Sequence, residues 1–216
     1  MNAVLTGRAE ILGVKEYFES IFPSTLEVPL YCTKLVVDGY NIAVSLHKIS
    51  ANRGHLRESS DYDRLFHIIF QFYKDLLRCN VFPLVILDGG LKREKLGITK
   101  KILRRRIHEA RYGYNLEFVD SPLLRMVVID VLEKLEIPFA MSIFEAKNDI
   151  LFLAKSLNVP ILSNDRKFFI YDAKFIPLFC LGFSLIANRK SCRKKCYIYH
   201  VENLLEKFQG LDVTVL

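Results

Sequence analysis

Two apolar runs in this chain end in the same way. KLVVDG closes on Asp38-Gly39, and PLVILDG closes on Asp88-Gly89. Short Leu, Ile and Val runs without polar alternation suit strands buried on both faces. Between them, residues 61–80 place Leu65, Phe66, Ile68, Ile69, Phe72, Tyr73, Leu76 and Leu77 on one broad helical face. Strand, crossover helix and strand make parallel neighbours. The carboxyl ends of the two strands, and with them Asp38 and Asp88, then share one edge of the sheet, where sites in such folds are built.

The alternation continues. Residues 121–136 read as a helix with Ser121 as N-cap and Pro122 at its first position. A short strand over 137–141, a helix over 145–158 and a strand over 159–162 follow. The expected fold is α/β: a single domain with a mainly parallel central sheet flanked by helices. Residues 1–12 read as an N-terminal extension and 13–216 as the domain, opening with a helix over 13–22. A turn-rich link to Thr33, a polar loop over 50–60, short strands over 168–171, 175–179 and 196–199, and a helix over 201–208 complete the expectation.

Charge and cysteine usage limit the setting. The net charge of +7 permits an acidic partner and acquires meaning only where it clusters. Five scattered cysteines, with no CxxC, fit a reducing compartment. Arg8 and Glu10 interrupt the one apolar stretch near the start, which argues against a secretory signal. The least polar run, 175–187, is too short to span a bilayer and holds Pro177 and Gly182, so no membrane partner is expected. Cys192, Cys196 and His200 lack a fourth ligand for structural zinc.

Four acids fall at comparable places: Asp38, Asp88, Glu145 just past the third strand, and Asp165 after the fourth. Parallel strands would bring them into one pocket. Carboxylates that close repel, and a hard divalent cation with oxygen ligands relieves the repulsion. Mg²⁺ or Mn²⁺ held so can activate water for attack at phosphorus. Strand-end Asp is also a common turn former, which is the plainer reading of any single one. The charge clusters directly after Asp88: Lys92, Arg93, Lys95, Lys100, Lys101, Arg104, Arg105, Arg106 and Arg111 against Glu94 and Glu109. Such a run is either a solvated helix face or a grip on phosphates. Tyr112, Tyr114 and Phe118 beyond it are candidates for stacking on bases.

Taken in order, GVKEYFESIF, KLVVDGYNI, the helix from Asp61, VFPLVILDGG, the basic helix, FEAKNDILFLAKSLNVPILSNDRKFFIYD and FIPL resemble the asteroid family, a branch of the PIN-like, flap-endonuclease and XPG-type nuclease superfamily. The resemblance implies a metal-dependent, structure-specific DNA endonuclease. Asp38, Asp88, Glu145 and Asp165 then match the family's metal-binding acids. Lys95 and the Lys100, Lys101, Arg104, Arg105 and Arg106 cluster fall where cations meet the scissile phosphate. Two departures stand out. The Glu-Ala-acid motif reads Glu145-Ala146-Lys147, and the Asp-x-Asp pair reads Asp165-Arg166-Lys167. Asp149, one turn from Glu145, is the nearest compensating acid. One Mg²⁺ or Mn²⁺ is therefore expected rather than two. The expected partner is DNA with flap or overhang structure, with RNA as the other nucleic acid, in an intracellular and by family nuclear setting. The alternative is a catalytically inactive pseudo-nuclease, a scaffold for nucleic acid or protein in which Lys147 and Lys167 are counter-ions to the acids.

Overall fold

A strand made of Leu35, Val36 and Val37 needs an apolar layer on each side, because successive side chains point to opposite faces. The computed structural model supplies both layers. It describes residues 25–50, 62–112, 123–181 and 194–200. In chain order these form β1 (Thr25–Leu30), β2 (Thr33–Asp38), α1 (Gly39–Ser50), α2 (Tyr62–Arg78), β3 (Val81–Leu87), α3 (Leu96–Tyr112), α4 (Leu124–Lys134), β4 (Phe139–Met141), α5 (Lys147–Leu157), β5 (Ile161–Ser163), β6 (Phe175–Pro177) and β7 (Lys194–Tyr199). Short 3₁₀ helices cover Arg93–Lys95, Arg166–Ile170 and Leu178–Leu181. The expected extension, first helix, 51–60 loop and terminal helix, together with Tyr114, Phe118, Ser121, Pro122 and Cys192, lie outside the described residues.

The seven strands run β1-β7-β6-β5-β2-β3-β4. The β6-β5-β2-β3-β4 stretch is parallel throughout. β7 pairs antiparallel with both β6 and β1 and so joins the edge strand β1 to the parallel stretch. Leu35 and Val37 join Val81, Val85 and Leu87 under α1, α2 and α4. Val36 and Ile86 face the other way, onto Ala146, Ile150 and Ala154 at α5 and onto Phe168 and Phe169. The mainly parallel α/β fold follows from this burial on both faces.

Two expectations are corrected. The link before Thr33 is a strand. Its Pro29 hid the pattern, yet β1 ends the strand order, and at an edge a missing N–H costs the ladder little. Residues 168–171 are not a strand. Residues 166–170 wind instead as a 3₁₀ helix capped by Asp165, which carries the adjacent Phe168 and Phe169 onto the same core cluster. Both rings pack on Phe175, with centroids 5.6 and 4.9 Å away. Pro83 is tolerated inside β3 because β4 joins only at Val85, so β3 has a single neighbour where the ring sits.

The basic helix α3 joins neither core. None of its described side chains is buried. Ile98 and Ile107, on its apolar side, are 66% and 67% exposed. Among the described residues, no helix is long and apolar enough to cross a membrane.

Candidate active site

The register of the sheet assembles the acids. β2 pairs with β5 so that Val37 lies beside Leu162, which puts the next residues, Asp38 and Ser163, side by side. β2 pairs with β3 so that Asp38 lies beside Ile86, with Asp88 two residues further on. The glycines after the two Asp residues are there for space rather than for turns. A Cβ on Gly39 would come within 2.4 Å of Val85, and one on Gly89 within 1.8 Å of the Ser142 carbonyl oxygen. Gly89 and Gly90 donate their N–H groups to the carbonyls of Phe144 and Ile143. The loops that carry Asp88 and Glu145 are thereby tied together.

Asp38 is held at both oxygens. Ser163 Oγ donates to Oδ2 at 2.8 Å, and the Asn41 N–H donates to Oδ1 at 3.3 Å. Burial pushes its carboxyl up to about 6, helped by the charges of Asp88 and Asp165 and opposed by those two hydrogen bonds. The charges of Asp88 and Asp165 thus reach Asp38, so three of the four acids lie together at this edge. Tyr73 of α2 brings a fully buried hydroxyl near them, pushed above its ordinary value first by burial and then by the Asp38 charge.

Asp88 Oδ1 accepts the Ala146 N–H at 2.7 Å, so this acid caps the approach to α5 from the neighbouring strand. The Arg125 guanidinium, reaching from α4, donates to the carbonyls of Asp88 and Gly89. Asp165 is the N-cap of its 3₁₀ helix, with Oδ1 accepting the Lys167 N–H at 3.0 Å. Its Oδ2 lies 3.2 Å from the Lys147 ammonium, and both side chains are about three-quarters buried, at 23% and 29% exposure. Glu145 is exposed and paired with Lys95. Its carboxyl is held below the ordinary value, first by the hydrogen bond from Lys95 and then by the charges of Lys95, Lys147 and Lys92.

The lysines expected at the two substituted acid positions behave differently. Lys147 points into the cluster, whereas the Lys167 side chain is exposed. Asp149 is exposed on the first turn of α5. Lys100, Lys101, Arg104 and Arg105 are exposed along α3, and the Arg106 side chain lies outside the described residues. Among the described residues, no group of three or more His, Cys, Asp or Glu side chains is arranged to hold a metal ion. Of the four candidate acids, Asp38 and Asp88 have no lysine partner among the described residues.

Sequence reasoning missed Ser163, Asn41 and Arg125. Ser163 is fully buried, and its hydroxyl also accepts the Asp165 N–H at 3.1 Å. Asn41 Oδ1 accepts the Asn164 N–H at 2.8 Å. The available signal was polar residues at the ends of buried strands and at a helix start, where an unpaired group would cost energy. Arg125 could have been flagged as a cation in the first turn of a largely apolar α4.

No protein-family model matches the chain. It is 32% identical over 162 residues to the protein asteroid of Drosophila melanogaster, covering 74% of this chain and 19% of asteroid. It is 36% identical over 160 residues to the Homo sapiens single-strand DNA endonuclease ASTE1, covering 70% of this chain and 23% of that protein. The chain thus spans about a fifth to a quarter of the length of these relatives. In structure it matches the catalytic core of Rad2 in complex with a DNA substrate, with a TM-score of 0.58 at 19% identity over 92% of this chain and 57% of that one. Flap endonuclease-1 from Methanococcus jannaschii gives the same TM-score, 0.58, at 18% identity over 88% of this chain and 64% of that one. The parallel core has the fold of those nuclease structures, and on its identity to these relatives this chain belongs to the asteroid family.

Proposed function

We propose that residues 13–216 form one nuclease domain of asteroid type that cleaves DNA at its single-stranded parts, in flaps or overhangs, using one divalent cation. The observation that carries the reading is the strand register that brings Asp38 beside Ser163 and near Asp88 and Asp165, whose charges reach its buried carboxyl. The relatives named as single-strand DNA endonucleases support DNA as the substrate, and acting on DNA would suit a nuclear setting.

One cation fits this donor set. Mg²⁺ keeps several waters and needs only one or two carboxylates plus substrate phosphate. Asp38 and Asp88 provide those two carboxylates. Asp165 would add a third on leaving Lys147. A second ion does not fit, since Glu145 and Asp165 are each held by a lysine. Charge gives the same count: four carboxylates against Lys95 and Lys147 leave two negative charges. Mg²⁺ or Mn²⁺ bound there supplies an activated water and neutralises charge developing at phosphorus.

The chain's own residues do the rest. Ser163 and Asn41 fix the orientation of the Asp38 carboxylate, and the Ala146 N–H fixes that of Asp88. Lys95, exposed beside Glu145, is a cation that can turn to an incoming phosphate. Lys100, Lys101, Arg104, Arg105 and Arg106 of α3 draw the strand in by displacing counter-ions.

The test is Mn²⁺-dependent cleavage of labelled single-stranded, flap and overhang DNA, with Asp38→Ala as control. Cleavage that Asp38→Ala abolishes is the expected result. No cleavage, together with no Mn²⁺-linked thermal shift, sinks the reading. A second reading, the inactive scaffold, is favoured by the ion pair between Lys147 and Asp165, which makes that acid self-sufficient. It requires DNA affinity that persists without any cleavage.

A further inference from the structure

We propose that Lys147 is a built-in counter-ion that trades places with a divalent cation, so that it sets how tightly the acid cluster binds metal. This rests on the reading of Asp38 and Asp88 as the cation's ligands. Lys147 opens α5 directly after Ala146, whose N–H is hydrogen-bonded to Asp88. The turn that orients one acid therefore aims the lysine at another. Its ammonium sits 3.2 Å from Asp165 Oδ2 at 23% exposure, whereas the Lys95–Glu145 pair has side chains 50% and 58% exposed. The Lys147 pair is the less screened of the two.

Asp165 is also one of the two charges that push on Asp38. By neutralising Asp165, Lys147 limits the repulsion that would otherwise have to be relieved by metal. The cluster then holds its shape when empty, with two carboxylates left to take one ion. Remove the lysine charge and three mutually repelling carboxylates remain, whose cheapest relief is a cation. Lys147 is thus a positioning residue. It acts through Asp165 and competes with metal for the same negative charge.

The experiment compares wild type, Lys147→Gln and Lys147→Arg by Mn²⁺ titration calorimetry and by thermal unfolding with and without Mn²⁺. For Lys147→Gln, Mn²⁺ affinity should rise about 10-fold, the order expected for removing one unit charge a few ångströms away near a protein surface. Without metal, Lys147→Gln should melt below wild type, and saturating Mn²⁺ should close the gap. Lys147→Arg keeps the charge and should stay near wild type in both assays. If wild type binds Mn²⁺ and Lys147→Gln binds it no tighter, the counter-ion role is wrong while the metal reading stands. If no variant responds to Mn²⁺, the metal reading of Asp38 and Asp88 fails with it.

Discussion

Replacing Asp38 by Asn should make the protein more stable while abolishing the proposed cleavage. In the folded chain the Asp38 carboxyl is raised from an ordinary 3.8 to about 6. A carboxyl raised on folding favours the folded state while it is protonated. That contribution is complete below about pH 4 and is lost as pH rises through about 6. The difference between the two values corresponds to about 3 kcal/mol at neutral to alkaline pH. Asn keeps the shape and an oxygen to accept the Asn41 N–H, and Ser163 Oγ can turn to suit the amide. It carries no charge to repel Asp88 and Asp165. Urea unfolding at pH 8 should therefore show Asp38→Asn more stable than wild type by about 3 kcal/mol, shrinking to about 1 kcal/mol at pH 4.5. For a domain of this size, the pH 8 gain is a rise in Tm of roughly 6 to 12 °C. Comparing the two proteins at each pH cancels the other carboxylates. Equal stability at pH 8, or a gain that does not change with pH, would refute the claim that charge at Asp38 is held against its preference.

Three further outcomes are expected. Ser163→Ala should lose about 2 kcal/mol at pH 8, the scale of a buried hydrogen bond to a charged group, and visibly less at pH 5, where Asp38 is largely protonated; urea unfolding at the two pH values checks it. Neutralising Lys100, Lys101, Arg104 and Arg105 together should weaken single-stranded DNA binding and reduce the log–log salt slope by about 3 in fluorescence anisotropy, and an unchanged slope would leave α3 as a solvated face. Glu136 follows α4 with φ of 53°, a left-handed conformation that side chains resist, so Glu136→Gly should raise stability by up to about 1 kcal/mol in thermal unfolding.

Much of the architecture is legible because burial writes itself into local pattern. Leu35, Val36 and Val37 read as a strand covered on both faces, and α1 and α2 on one side with α5 on the other provide the cover. The α2 pattern is equally direct, with Leu65, Ile69, Phe72, Tyr73 and Leu76 all buried. Pattern fails where the environment breaks the rule. Pro29 is allowed because its strand is an edge, and Phe168-Phe169 is a 3₁₀ turn whose two rings both pack on Phe175, Phe169 also meeting Tyr199. In α3, Ile98, Ile102, Leu103 and Ile107 repeat at helical spacing and yet remain in solvent. Periodicity specifies a face without specifying that anything covers it.

The sequence by itself determined the α/β class, the family, and that Asp38, Asp88 and Asp165 follow strands whose carboxyl ends share one edge of a mainly parallel sheet, since strand direction follows from apolar runs alternating with crossover helices. Only the tertiary structure decided the electrostatics at that edge. Lys147 is one residue along the chain from Ala146, but its partner Asp165 is 18 residues away, and Ser163 meets Asp38 across 125. Charge pairing and desolvation depend on distances through space of a few ångströms, and no local pattern in the chain records them.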